Sequence, residues 1–289
     1  MFPCEMVEVP AGPFLMGCDR MTAESLLQSY GGYGAERYAR EMPQHWVWVS
    51  GFYIDVFPIT NAQYQMAVEE CVVDVPPLWQ CSPWNRPNSP VVGVSWFEAK
   101  RFAEWRGCDL PTEAEWEKAA SWDYTERKKL IYPWGDRWCP SHSLNAESIS
   151  GLIITDRETW QARFWQSGLG LNKGHVEDVG LREGDASPCG ARMLSGHVWE
   201  WCLDHYDVQA YQRREAGVRD PVIRSDGYMP PHVLKGGSWV DDSNSCRSTY
   251  RIGSRPDAWA YGPSDVGFRC VCRKHAPAPV WKCENGLLI

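Results

Sequence analysis

The sequence predicts an α+β fold that is rich in loops, with short helices set around small antiparallel sheets. Short segments of alternating apolar and polar residues are typical of strands, and three Ser/Thr capping boxes mark the starts of short helices. The 25 glycines and 21 prolines among 289 residues indicate many sharp turns. The 17 tryptophans can fill an irregular core.

The first half of the chain contains most of the regular elements. Residues 6–16 alternate and are interpreted as a hairpin that turns at 10–12, and residues 45–56 as a pair of strands. The polar segment 19–43 between them is predicted to be an excursion loop with a helix in 22–30. Three helices are predicted from the capping boxes, ending near residues 70, 106 and 121 and beginning at Thr60, Ser95 and Thr112.

Regular periodicity fades after residue 122. Residues 141–190 are predicted to be irregular apart from a helix around 156–166, and short strands are expected at 198–203, 232–235 and 266–273. So long an irregular stretch is unusual unless bound metal ions or packed tryptophans hold it. We find no repeat, low-complexity tract or linker, so a single domain over residues 1–289 is predicted.

Composition excludes several classes of function. A net charge of −8 without a Lys/Arg-rich run argues against nucleic-acid binding. No stretch approaches the roughly 18 apolar residues that span a membrane, and the N-terminus lacks the basic start and apolar run of a signal peptide. We therefore expect a cytoplasmic monomer whose partner is a protein or a small molecule.

The twelve cysteines contain no CxxC pair of the kind that holds zinc. Two interpretations stay open. They are buried thiols in a reducing compartment, or a few of them form local disulfides. Cys71–Cys81 is then the best candidate pair, because a Pro-rich loop lies between them.

A family resemblance extends over residues 6–272. Eight motifs carry it, in this order: VEVPAGPFLMG at 7–17, FYIDVFPITN at 52–61, PVVGVSW at 90–96, LPTEAEWE at 110–117, YPWGD at 132–136, GHVWEW at 196–201, GGSW at 236–239 and VGFR at 266–269. The chain resembles the formylglycine-generating-enzyme, or sulfatase-modifying-factor, family. The resemblance implies a loop-rich variant of the C-type lectin fold, and residues 273–289 extend beyond the family's usual end.

The resemblance also defines what this chain lacks. Catalytic family members oxidise a sulfatase cysteine to formylglycine with copper(I), held by cysteines two and seven residues after the Trp of the GGSW motif. Cys246 matches the second position, but Asp241 stands at the first. Because Cu(I) prefers two thiolates, neither copper nor formylglycine generation is expected. Cys246 is then either a buried structural thiol or a reactive one, with Arg247 and Arg251 as nearby cations.

We predict instead that the chain binds a protein or small ligand through a surface at residues 239–266. The family's retroelement variable proteins bind ligands through the corresponding segment. The candidate contacts are Trp239, Asp241, Asp242, Cys246, Arg247, Tyr250, Arg255, Trp259 and Tyr261, with Tyr250, Trp259 and Tyr261 as apolar anchors. Three alternatives stay open: a copper- or iron-dependent tailoring oxidoreductase using the same cleft, a retroelement variable protein, and a surface loop without a ligand.

Calcium is the cofactor that the resemblance implies. In catalytic members the GHVWEW-type motif binds calcium, and here its ligands would be the carbonyls of Met193, Gly196 and Val198 and the carboxylate of Glu200. Oxygen ligands of this kind suit Ca²⁺. A second family site begins at the position of Asn145. The alternative for Glu200 is an ion pair with an arginine.

Overall fold

The computed structural model describes residues 5–30, 35–166, 176–213, 217–258 and 265–273, and two short strands at 283–284 and 287–288. Its helices are α1 Arg20–Ser29, α2 Ala35–Ala39, α3 Asn61–Glu69, α4 Trp96–Trp105, α5 Glu113–Ser121, α6 Ala146–Ser150, α7 Arg157–Gln166 and α8 Ala210–Arg213, with a 3-10 helix at Pro140–His142. Among these described residues, no helix has the length and apolar character needed to cross a membrane.

The strands are equally short. They are β1 Met6–Val9, β2 Gly12–Met16, β3 His45–Val49, β4 Phe52–Asp55, β5 Trp122–Asp123, β6 Lys128–Lys129, β7 Trp199–His205, β8 Val218–Arg219, β9 His232–Lys235, β10 Arg251–Ser254, β11 Val266–Gly267, β12 Val271–Arg273, β13 Cys283–Glu284 and β14 Leu287–Leu288. The larger sheets have the orders β1-β4-β12, β2-β3-β8 and β10-β9-β7-β11. Pairing is antiparallel except between β3 and β8 and between β7 and β11, so the predicted α+β class is confirmed.

The predicted hairpin in residues 6–16 is wrong. The segment runs on through a bend, β1 pairing with β4 and β2 with β3. Val9 lies opposite Phe52 and Gly12 opposite Val49, so one antiparallel register continues across the bend. Alternation with period two identifies a strand but does not identify its partner. The predicted strand 266–273 likewise divides into β11 and β12, which belong to different sheets.

The helix predictions are confirmed. Thr60, Ser95 and Thr112 each cap a helix, and each capping box has both of its reciprocal hydrogen bonds. Helix α7 lies where the residue pattern placed it. The irregular stretch around it is held in part by Trp160, whose indole N–H donates to the Val240 carbonyl at 2.8 Å.

Helix α5 lies at the centre of the fold, with all nine of its residues buried. Trp116 packs in a core cluster with residues of β2, β3 and β9. The acidic side chains of α5 pair with buried cations on other elements. Glu113 lies 2.6 Å from Arg251, and Glu117 lies 3.0 Å from Lys235. These pairs fix the chain on both sides of the loop that follows β9.

The described cysteines are neither all free thiols nor joined in the predicted local pair. Cys108 and Cys272 form a disulfide with Cα atoms 4.8 Å apart. Cys71 and Cys81 are both free and exposed, so the proposed local pair is wrong. The observed bond joins positions 164 residues apart, a pairing that loop composition gives no means of finding.

Candidate functional site

The GGSW motif begins a tightly folded loop, residues 236–250, which we call the site loop. Gly237 has φ +71°, and a Cβ atom on it would lie 2.9 Å from the Cys246 sulfur. Glycine is therefore required where the two ends of the loop approach each other. Trp239 is fully buried and packs on Trp84, with ring centroids 5.9 Å apart. It belongs to the core and does not present a contact surface.

Two carboxylates share one hydroxyl at the start of the site loop. The Ser238 Oγ atom lies 2.7 Å from Asp241 Oδ2 and 2.7 Å from Asp265 Oδ2. The Ser238 backbone N–H also donates to Asp241, at 3.0 Å. Burial, and then the charge of Asp265, raise the pKa of Asp241 to about 7. Burial raises the pKa of Asp265 to about 6. We call Asp241, Ser238 and Asp265 the acid pair and its serine.

Cys246 lies beside this group and is fully buried. Burial and then the nearby carboxylates Asp241 and Asp242 raise the pKa of its thiol well above the ordinary value. The two arginines that suggested an activated thiol are engaged elsewhere, Arg247 with Glu41 at 2.6 Å and Arg251 with Glu113. The thiol is therefore held protonated, which disfavours both nucleophilic chemistry and metal binding.

The middle of the site loop does not project into solvent as predicted. Arg247 is fully buried, and Asp242 and Tyr250 are only 2% and 8% exposed. The excursion at residues 19–43 lies across this part of the loop. Tyr30 contacts Ser243 at 2.7 Å, and Arg37 donates to Asp242 at 3.2 Å. The prediction that Arg247 and Tyr250 are exposed contact residues is wrong, because Arg247 pairs with Glu41 in the interior and Tyr250 is buried with the Arg37 guanidinium over its ring.

The remaining predicted contacts divide into two groups. Arg255 is exposed and pairs with Asp257 at 2.8 Å. Trp259 and Tyr261 lie outside the described residues, so their predicted role as anchors stays a prediction.

A small cavity opens on the other side of the acid pair. It has a volume of about 190 Å³, and its walls include Val94, Trp199, Trp201, Leu234 and Ile252. Asp265 also lines it and is the only acidic residue to do so among the described residues. Sequence reasoning missed Asp265 and Ser238. The available signal was an acid placed directly before the VGFR motif, and the serine of the GGSW motif itself.

The predicted calcium ligands have other partners. Arg269 donates to both carboxylate oxygens of Glu200 at 2.7 Å, and the Trp116 indole N–H donates to one of them at 2.7 Å. The Met193 carbonyl also accepts from Arg269, at 3.4 Å. This is the ion-pair alternative that the sequence left open. A guanidinium at this position does not fit a calcium ion bound by the Glu200 carboxylate.

The second family position is also engaged. Asn145 caps α6, and its side-chain oxygen accepts from the Ser148 N–H at 2.8 Å. Its amide Nδ2, which can only donate, is buried and has no hydrogen-bond partner within the described part of the chain. Calcium binding by Gly196, Val198 and the other carbonyls stays a prediction.

In the part of the chain that the structure describes, no group of three or more His, Cys, Asp or Glu side chains is placed to hold an ion. His205 and His232 lie against each other with ring centroids 4.4 Å apart, but no third ligand from the described residues joins them. His175 and His275 lie outside the described residues.

The loop-rich α+β fold and the GGSW site loop define a protein of the formylglycine-generating-enzyme class. The Sulfatase-modifying factor enzyme 1-like domain matches residues 3–274, and the chain belongs to this family. The formylglycine-generating enzyme of Streptomyces coelicolor is 29% identical over 92% of this chain and 88% of its own length. The inactive C-alpha-formylglycine-generating enzyme 2 of Mus musculus is 28% identical over 94% of this chain and 87% of its own length.

Other relatives carry different names. The hercynine oxygenase of Mycolicibacterium thermoresistibile is 28% identical over 84% of this chain, which spans 54% of that protein. Among solved structures, PvdO from Pseudomonas aeruginosa superposes with a TM-score of 0.63 at 19% identity, covering 93% of this chain and 94% of PvdO. Treponema denticola variable protein 1 superposes with a TM-score of 0.62 at 16% identity over the same shares. At these identities the structural matches show the fold alone.

Proposed function

We propose that this chain is a family member that does not generate formylglycine and that binds a small ligand in the cavity beside the site loop. The observation that carries the proposal is the acid pair and its serine, which occupies the position where the resemblance places the first copper-binding cysteine. A carboxylate is a hard ligand and suits Cu(I) poorly.

The surroundings of Cys246 support the same conclusion. A thiol must lose its proton to bind a soft metal. Here burial and two carboxylates keep the Cys246 proton in place, and Arg247 and Arg251 are paired with Glu41 and Glu113. The residues at the two cysteine positions of the family therefore do not fit a copper ion.

A Cu(I) titration against a competing chelator tests the first half of the proposal. Because Cys71 and Cys81 are exposed free thiols, the reference chain carries serine at both positions. This reference chain should not compete, whereas adding Asp241→Cys should raise Cu(I) affinity at least about a hundredfold because two thiols then face one ion. Adding Arg255→Cys, an exposed thiol away from the site loop, is the matched control and should behave as the reference chain. Tight Cu(I) binding by the reference chain would overturn the proposal.

The cavity supports the second half. A dry apolar cavity of about 150 Å³ is enough to hold a benzene ring, and this one is somewhat larger and walled by two tryptophans. Pockets with apolar walls and a few polar groups are the usual form of small-ligand sites. Benzyl alcohol should bind in the millimolar range by ligand-observed NMR. Ile252→Phe, which fills the cavity, should abolish that binding.

A further inference from the structure

The serine between the two carboxylates has only one proton to donate. Ser238 Oγ contacts both Asp241 Oδ2 and Asp265 Oδ2 at 2.7 Å, so it cannot donate to both. One carboxyl must therefore carry a proton and donate to the serine. When the pair holds one proton it carries one negative charge, and Asp265 is the member of the pair that lines the cavity, where a bound cation would draw that charge.

That charge is incompletely paired. Asp265 is 2% exposed, and its Oδ1 atom is buried without a hydrogen-bond partner among the residues that the structure describes. A buried carboxylate oxygen without a donor is costly, so such an atom is normally matched by a cation or an N–H group. Asp265 itself lines the cavity.

We infer that the cavity binds an ammonium group carried on a small apolar ring or chain, with Asp265 as its counter-ion. This inference rests on the proposed function and adds the class of ligand. The ammonium group supplies the donor that Asp265 Oδ1 lacks. The apolar part lies against Leu234 and Ile252, and the indoles of Trp199 and Trp201 favour a cation near their faces.

A pair of ligands of matched shape tests the inference. Benzylammonium and benzyl alcohol differ mainly in the charged group, and their affinities are measured by calorimetry at pH 7.5. We expect benzylammonium to bind the wild type at least about tenfold more tightly, the gain of a charge-assisted hydrogen bond. Asp265→Asn should make the two affinities equal. Asp257→Asn, which removes a charge from an exposed ion pair, should leave the difference intact.

A second measurement uses only the wild type and does not depend on the folding of the variant. Benzylammonium affinity should fall about tenfold between pH 7.5 and pH 5, because Asp265 gains a proton in that range while the ligand stays charged. Benzyl alcohol affinity should stay constant. Two other acids lie near the acid pair. Asp242 faces Asp241 and is paired with Arg37, and Glu147 lies beyond Asp242 and accepts from the Ser243 N–H.

The outcomes separate this inference from the proposed function. Equal binding of the two ligands by the wild type, or a preference for benzylammonium that survives Asp265→Asn, would overturn the inference and leave the small-ligand cavity in place. Binding of neither ligand would overturn both.

Discussion

Replacing Asp241 by asparagine should stabilise this protein at neutral and alkaline pH. The ordinary pKa of an aspartate is 3.8, and that of Asp241 rises to about 7 through burial and the charge of Asp265. The folded chain therefore binds this proton more tightly than the unfolded chain does. The contribution of Asp241 to the free energy of unfolding is therefore greatest at low pH, and it is lost as the pH rises from about 4 to about 7.

The size of the effect follows from the pKa difference. Each unit corresponds to about 1.4 kcal/mol, so the full difference would amount to about 4 kcal/mol. Asp241 is partly accessible to water and titrates together with Asp265, and both facts reduce the effect. We expect Asp241→Asn to raise the free energy of unfolding by about 2 kcal/mol at pH 8. The amide oxygen can still accept the Ser238 backbone N–H.

Urea denaturation of the wild type and Asp241→Asn at pH 4 and pH 8 measures this difference. The two proteins should be nearest in stability at pH 4, close to the ordinary aspartate pKa, and separate at pH 8. Asp257→Asn provides the control, because the Asp257 side chain is 34% exposed and the hydrogen bond from Arg255 lowers its pKa. The reasoning fails if Asp241→Asn is less stable than the wild type at pH 8, since that would mean that a bound cation holds Asp241 ionised.

Three further predictions concern residues around the site. Glu200→Gln should lower the free energy of unfolding by about 3–5 kcal/mol by leaving a buried arginine unpaired, and by the same amount in calcium and in chelator; a loss seen only with calcium would restore the metal site. Cys272→Ser should lower the free energy of unfolding by up to about 5 kcal/mol without reductant, because it removes the disulfide with Cys108. Equal melting midpoints of the wild type with and without reductant would contradict this. Arg255→Ala should leave the melting midpoint unchanged in calorimetry.

Local signals in the sequence predicted the elements well. The capping boxes at Thr60, Ser95 and Thr112 predicted three helices because both partners of each box lie within four residues. Strand positions were also readable from alternation. Their partners were not, because the pairing of 6–16 with 45–55 depends on which strands meet in space.

The site loop shows the same limit. Asp242, Arg247 and Tyr250 are polar or amphipathic residues in a loop, and such residues are usually exposed. They are buried because Arg37 and Glu41, some two hundred positions earlier, lie over them and supply charge partners. The motif count identified the family, but the exposure of these side chains depended on contacts that no local pattern records.

The most direct test of the account is mass spectrometry of a Cys-x-Pro-x-Arg peptide after incubation with the purified chain, Cu(I) and oxygen. The resemblance supplies this substrate, and an authentic formylglycine-generating enzyme serves as the positive control. With an acid pair where two thiolates would be needed, the account predicts an unmodified cysteine at every time point. Formation of the formylglycine peptide by the wild-type chain would contradict it.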